Sequence, residues 1–236
     1  MRLINARLIE RIKRTPTIES FRIKPDERIN FKPGQFGQVI FDRDDPDNKE
    51  LNKYLSFSSS PTKGYLEITK RLSQSEFSQK LKILDTASAL ALKAPLGNCV
   101  FEESYRKIGF LIGGIGITPV ISIIEYIADK KLDTDIVLLY SNRDEQEIAF
   151  KKELDGWLEA NSNIKICYAI TDCKPKDKLC FAGRIDKNLC LSRMPDIKER
   201  VLFIFGPPRM VEAMKNLCLG IGVEKEKINA ENFVGY

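Results

Sequence analysis

The 236 residues contain no histidine. That excludes imidazole acid–base chemistry, histidine-based catalytic triads and histidine metal sites together. None of the six cysteines forms a C-x-x-C pair, and their spacing matches no iron–sulfur ligand set. In a reducing compartment Cys99, Cys167, Cys173, Cys180, Cys190 and Cys218 read as thiols, most of them in the core, rather than as a disulfide framework. No apolar run approaches the ~20 residues of a membrane span. The opening MRLINARLIERIKR has no apolar centre of the kind a signal peptide carries. A nucleic-acid recognition motif is missing, as is a dense basic run interleaved with aromatics. The expectation is a cytoplasmic protein with no metal, no membrane span and no nucleic-acid partner. Its hard chemistry must come from a bound cofactor.

What is present is ordinary for a globular chain, with 43% hydrophobic and 30% charged residues. The length suits one large or two small domains. The net charge of +5 is concentrated early, in Arg2, Arg7, Arg11, Lys13, Arg14, Arg22, Lys24, Arg28 and Lys32. Two readings fit this excess: a solvated outer face on β-strands, or a landing surface for an acidic protein partner.

The two halves differ in rhythm. Up to about residue 100, short strands are expected at 2–14, 17–24, 35–41, 54–58, 65–70 and 86–94, separated by turn signals such as Lys32-Pro33-Gly34 and Thr62-Lys63-Gly64. One short helix fits 75–82. This pattern suggests an antiparallel β-barrel. From residue 108 onward, apolar strands (108–112, 136–140, 164–170, 201–205 and 228–233) alternate with helices. Thr118 is the expected N-cap of the first of these helices, which buries Val120, Ile123, Ile124 and Ile127. Asp144-x-x-Glu147 reads as a capping box for a helix carrying Ile148, Leu154, Trp157 and Leu158. A further helix is expected from Pro208 to Leu219, ended by Gly220. Alternation of this kind argues for a Rossmann-like parallel sheet. The boundary falls near residues 102–106, giving domains 1–104 and 105–236.

Three segments carry chemistry. Gly113-Gly114-Ile115-Gly116-Ile117-Thr118-Pro119 follows a strand and opens a helix, where glycines admit a close pyrophosphate and the helix start favours an anion. Phe205-Gly206-Pro207-Pro208-Arg209-Met210 ends another strand at the carboxyl edge, where open α/β sheets bind ligands. Leu55-Ser56-Phe57-Ser58-Ser59-Ser60-Pro61 offers hydroxyls to a ligand ring or phosphate. A tight turn or a solvated loop would use the same residues.

In order along the chain, Lys32-Pro33-Gly34-Gln35-Phe36, Lys53-Tyr54-Leu55-Ser56, Ser75-Glu76-Phe77-Ser78, Ala94-Pro95-Leu96-Gly97, Gly113–Pro119, Phe205–Met210 and Glu231-Asn232-Phe233 resemble the motifs of the ferredoxin–NADP reductase superfamily. The resemblance implies an N-terminal Greek-key barrel for FAD and a C-terminal domain for NADH or NADPH. Four positions depart from the pattern. Lys53 stands for an arginine, Leu55 for an aromatic with Tyr54 adjacent, Ser75 for a glycine and Phe205 for a cysteine.

The resemblance places FAD against Lys53, Tyr54, Leu55 and Ser56, with Arg71 and Ser78 at its pyrophosphate. It places the dinucleotide on Gly113, Gly114 and Gly116, and the nicotinamide near Thr118, Gly206, Pro207 and Met210. Ser56 would hydrogen-bond near flavin N5, and Glu231 would orient the nicotinamide or relay a proton. Phe233 or Tyr236 would cover a flavin face. Asp172, where NADPH-using members carry a cation, implies NADH over NADPH, although Arg143 and Arg184 lie close enough in sequence to meet a phosphate. The implied acceptor is a small electron carrier such as ferredoxin or flavodoxin, an oxygenase component, or free flavin. Two alternatives are an electron-transfer or regulatory subunit of a larger complex, and a dinucleotide-binding chain that has lost flavin.

Overall fold

The computed structural model describes residues 3–177 and 180–233. Contacts divide it into two compact units. One holds the residues up to Phe101 together with Thr118–Asp129; the other holds Glu102–Ile117 and the chain from Lys130 onward.

The first unit contains β1 (Ile4–Lys13), β2 (Ile18–Pro25), β3 (Phe36–Ile40), β4 (Asn52–Ser56), β5 (Leu66–Arg71), α1 (Glu76–Lys82) and β6 (Ala89–Leu96). The antiparallel order is β4-β3-β6-β1-β2-β5. Past the end of β4, Phe57 bridges Ile68 and the Ser58 amide donates to the Glu67 carbonyl at 2.7 Å. That contact closes the sheet into a barrel and leaves no free edge there. Period-2 alternation sends Leu8, Phe21, Ile23, Val39, Leu55, Phe57, Leu66, Ile68, Leu90 and Leu92 inward, joined by Phe77 and Leu81 of α1.

The second chain segment runs β7 (Lys107–Gly113), a 3-10 turn (Gly114–Gly116), α2 (Ile117–Lys130), β8 (Asp135–Asn142), α3 (Lys151–Ala160), β9 (Ile164–Ile170), β10 (Cys180–Ala182), α4 (Lys187–Arg193), β11 (Val201–Gly206), α5 (Pro208–Ile221) and β12 (Ile228–Asn232). All strand pairs are parallel in the order β10-β9-β8-β7-β11-β12. The chain leaves β7 toward β8 on one side and returns to β11 on the other, so the switch point lies between β7 and β11. Among the described residues, no helix is long and apolar enough to cross a membrane.

Several local expectations are corrected. Thr118 is not an N-cap: the 3-10 turn carries the chain into α2 one residue earlier, and Thr118 is buried in the first turn. Asp144 caps only the short turn Glu145–Glu147. Ile148, Ala149 and Phe150 are buried in a non-helical link, so α3 starts at Lys151 without Ile148. Gly220 stays helical; Gly222, at φ 94°, ends α5, and the buried Val223 donates its amide to the Cys218 carbonyl. β10 and α4 carried no apolar periodicity long enough to read. Cys167, Cys190 and Cys218 are buried, Cys99 and Cys180 half-buried and Cys173 exposed, so half of the cysteines, not most, are core residues.

Candidate functional site

On β4 the alternation separates the expected flavin contacts. Leu55 packs into the barrel core, and Lys53, two residues before it, shares that row. Tyr54 points to the opposite face with Ser56. It is 63% exposed and lies edge-on to Phe36, with ring centroids 5.9 Å apart. Tyr54 therefore does not take the place of an aromatic at position 55. Ser56 is buried.

The structure adds Lys70, which the motif reading passed over. The inward row Leu66, Ile68 on β5 ends on this lysine, and the side chain is buried. Burial first, and the neighbouring Lys53 ammonium second, push its pKa down. An inward-facing lysine at the end of an apolar row was the available signal. Arg71, next along, donates from its guanidinium to the Thr17 hydroxyl. Ser78 is buried in a cluster of serine hydroxyls, 3.1 Å from Ser75 and 3.3 Å from Ser73. Ser75 caps α1 by accepting from the Ser78 amide, so a serine there has a local structural role.

In the second unit the two glycine motifs meet. A Cβ on Gly113 would lie 2.3 Å from the Met210 sulfur and 3.1 Å from Pro207. Gly206 approaches the backbone of Gly113 closely enough that a Cβ there would stand 3.2 Å from the Gly113 Cα. Gly114 has φ 52°, and Gly116 lies against the Phe205 carbonyl. Register brings in β12: Glu231 pairs with Phe205, and the Phe233 amide donates to the Gly206 carbonyl at 2.9 Å. The Phe233 ring is 6.3 Å from the buried Phe205 ring. Burial pushes the Glu231 carboxyl up to about 7. Thus Gly113, Gly114, Gly116, Gly206, Pro207, Met210, Glu231 and Phe233 gather at the carboxyl ends of β7, β11 and β12, beside the switch point. Thr118 belongs by its contacts to the first unit. Tyr236 lies outside the described residues.

Asp172 follows β9 on the same edge, two strands from β7, a step of ~10 Å across the sheet. It is exposed, and its carboxylate accepts from the Thr171 hydroxyl at 2.7 Å. Arg143 and Arg184 are also exposed. Among the described residues, no cluster of three or more acidic or cysteine side chains is arranged to hold a metal ion.

Comparison with known proteins gives a consistent set of relatives. The oxidoreductase NAD-binding domain family matches residues 110–216. NADH-cytochrome b5 reductase 1 of Dictyostelium discoideum is 31% identical over 197 residues, covering 81% of this chain and 68% of that protein. The glycine betaine monooxygenase reductase subunit of Chromohalobacter salexigens is 26% identical over 240 residues, covering 97% of this chain and 64% of its own length. A ferredoxin NADP+ reductase from Neisseria gonorrhoeae, solved with FAD and NADP, superposes with a TM-score of 0.81 at 20% identity, covering 98% of this chain and 99% of that one. At that identity the likeness is one of fold.

Proposed function

The chain belongs to the ferredoxin–NADP reductase superfamily of FAD-dependent NAD(P)H oxidoreductases, and from that premise we propose that it oxidises NADH in preference to NADPH and delivers the electrons to a separate acceptor protein. The acceptor class is a small electron carrier or an oxygenase component. We assign FAD to residues 1–104 and the dinucleotide to residues 105–236. The observation that carries the reading is the convergence of Gly113–Gly116, Phe205–Met210 and Glu231–Phe233 at the switch point of a parallel sheet.

The barrel residues fit FAD. Lys53 on the inward row of β4 and the buried Lys70 at the end of the inward row of β5 stand close enough to interact, and two ammonium groups side by side favour an anion. A diphosphate supplies it. Lys53 and Lys70 would hold that charge, with Arg71 and Ser78 following on β5 and α1, and Tyr54 and Ser56 would flank the ring from the face opposite the core-packed Leu55. Bound FAD supplies hydride acceptance and electron release. The chain's own residues supply binding and orientation. Gly113, Gly114 and Gly116 would let a pyrophosphate approach the backbone, Gly206, Pro207 and Met210 would border the nicotinamide, and Glu231 would orient it.

The raised Glu231 carboxyl sets a pH dependence. It is protonated and neutral below about 7 and a carboxylate above. The anion favours the positive charge that develops on the nicotinamide as hydride leaves. NADH oxidation should therefore quicken several-fold from about pH 6 to about pH 8. Glu231→Gln should flatten that rise; a profile unchanged by the substitution would remove Glu231 from the chemistry.

The function itself is tested by extracting flavin from the purified chain and titrating the protein anaerobically with NADH and NADPH. FAD in the extract and reduction by NADH at lower concentrations than NADPH are expected. A chain that binds only FMN, binds no flavin, or is reduced by neither dinucleotide contradicts the reading. Candidate acceptors, an iron–sulfur protein first, are then added to the reduced protein.

A further inference from the structure

The segment after β9, Thr171–Asp177, carries Asp172 and is tied down at both ends within the second unit. At the near end the Thr171 amide donates to the Asn142 carbonyl at 3.1 Å and the Asp172 amide to the Arg143 carbonyl at 3.0 Å. The Thr171 hydroxyl then fixes the direction of the Asp172 carboxylate. At the far end the amides of Lys176 and Asp177 both donate to one oxygen, Oε1 of Glu145, at 2.7 and 2.9 Å. The Asp177 carboxylate pairs with Lys151 at 2.9 Å, and Lys151 pairs in turn with Asp155 at 2.6 Å. Glu145 sits in the short turn that Asp144 caps, just before α3. Residues 172–174 between the two anchors are exposed.

A carboxylate that collects two backbone N–H groups is a charge-assisted anchor, stronger than a neutral hydrogen bond. Without it, an exposed segment of this length gains many conformations. We infer that Glu145, with Lys151 behind Asp177, is a positioning residue for Asp172 and thereby sets the discrimination between a dinucleotide with a free ribose 2′-hydroxyl and one with a 2′-phosphate. The inference rests on the assignment of Asp172 to that ribose. A carboxylate discriminates only while it is held close: it accepts from the hydroxyl over hydrogen-bond distance, and its repulsion of a phosphate falls with separation and screening. Releasing the far end lets Asp172 withdraw. The 2′-hydroxyl then loses an acceptor, and the 2′-phosphate loses a repulsive neighbour.

The test compares Glu145→Ala, Glu145→Gln, Asp172→Ala and the double alanine variant in the full flavin-loaded chain. Dissociation constants for NAD+ and NADP+ are read by calorimetry. KM and kcat for NADH and NADPH are read with ferricyanide as acceptor. Glu145→Ala should weaken NAD+ binding and raise the NADH KM about fivefold, with kcat unchanged and NADP+ binding equal or tighter. Glu145→Gln, whose side-chain carbonyl still accepts both amides, should stay within about twofold. The double variant should be no worse than Asp172→Ala alone, because both act through one carboxylate. If Asp172→Ala shifts the NADH-to-NADPH preference and Glu145→Ala does not, the positioning role is overturned and the Asp172 assignment stands. If Asp172→Ala leaves the preference unchanged, the assignment fails and the positioning role with it. Should Glu145→Ala not fold, Asp177→Ala removes the Lys151 pair and carries the same expectation: a raised NADH KM at constant kcat supports the role, and an unchanged KM overturns it.

Discussion

Replacing Glu67 by alanine is expected to cost ~3–5 kcal/mol of folding free energy, more than a hundredfold in the folding equilibrium. Glu67 lies on β5 with its side chain 4% exposed, and it is the shared partner of two arginines. The Arg14 guanidinium donates to it at 3.0 Å, the Arg22 Nε at 3.0 Å and the Ser58 hydroxyl at 3.2 Å. Ser58 and Ser20 also share the Thr69 hydroxyl, each at 2.7 Å, and Arg14 reaches Ser20 at 2.8 Å. The cost of the substitution is unequal across the network. Arg22 keeps Glu10 at 2.7 Å and the Tyr65 ring at 4.7 Å. Arg14, 9% exposed, would lose both carboxylate oxygens it donates to, at 3.0 and 3.2 Å, while its charge stays buried. The double variant Arg14→Met, Glu67→Leu should therefore be less damaging than Glu67→Ala, because it removes both members of the buried pair together. Urea unfolding of the full chain, followed by circular dichroism, measures both. A loss below about 1 kcal/mol for Glu67→Ala would show that the network is neutral to stability.

Gly116→Ala should lower kcat/KM for NADH by about a hundredfold while the protein keeps its flavin. The ideal Cβ at this position lies 2.5 Å from the Phe205 carbonyl oxygen, 2.6 Å from its carbon and 2.9 Å from the Gly206 nitrogen. These are backbone atoms at the end of a central strand, so no side chain can rotate away. Either the 3-10 turn or the end of β11 must shift, and Gly206 and Phe233 are hydrogen-bonded to one another there. Gly114→Ala is the matched control. Nothing lies within 4 Å of its Cβ, and its only penalty is a φ of 52°. That conformation costs an alanine ~1–2 kcal/mol, with an effect of about thirtyfold at most expected on kcat/KM. Flavin-to-protein ratio and steady-state NADH oxidation read the outcome. Activity of Gly116→Ala within threefold of the unaltered chain would show that the close approach to β11 does not shape the dinucleotide site.

Legibility in the sequence followed interaction range. β9 was read at its observed bounds, 164–170, because seven largely apolar residues sit between turn-formers. The start of α5 was read from Pro208, and the buried face of α2 from residues three and four apart. β10 was missed because three residues make no period; it exists through pairing of Cys180, Phe181 and Ala182 with β9. The Asp144 box misled because burial of Ile148, Ala149 and Phe150 overrides local capping.

The same division holds for the candidate site. The sequence alone determined which short segments matter, and their order, because glycine turns, strand ends and helix starts are specified by adjacent residues. It could separate Tyr54 from Leu55 only as neighbours. Register put one in solvent and the other in the core. Only the tertiary structure decided that Lys70 stands beside Lys53, that Glu67 joins Arg14 to Arg22, that the half-buried Glu231 of β12 pairs with Phe205 of β11, and that Glu145 holds the far end of the Asp172 segment. Each of these depends on pairing between residues far apart in the chain. A carboxylate or an ammonium acquires its character there from the groups that folding gathers around it.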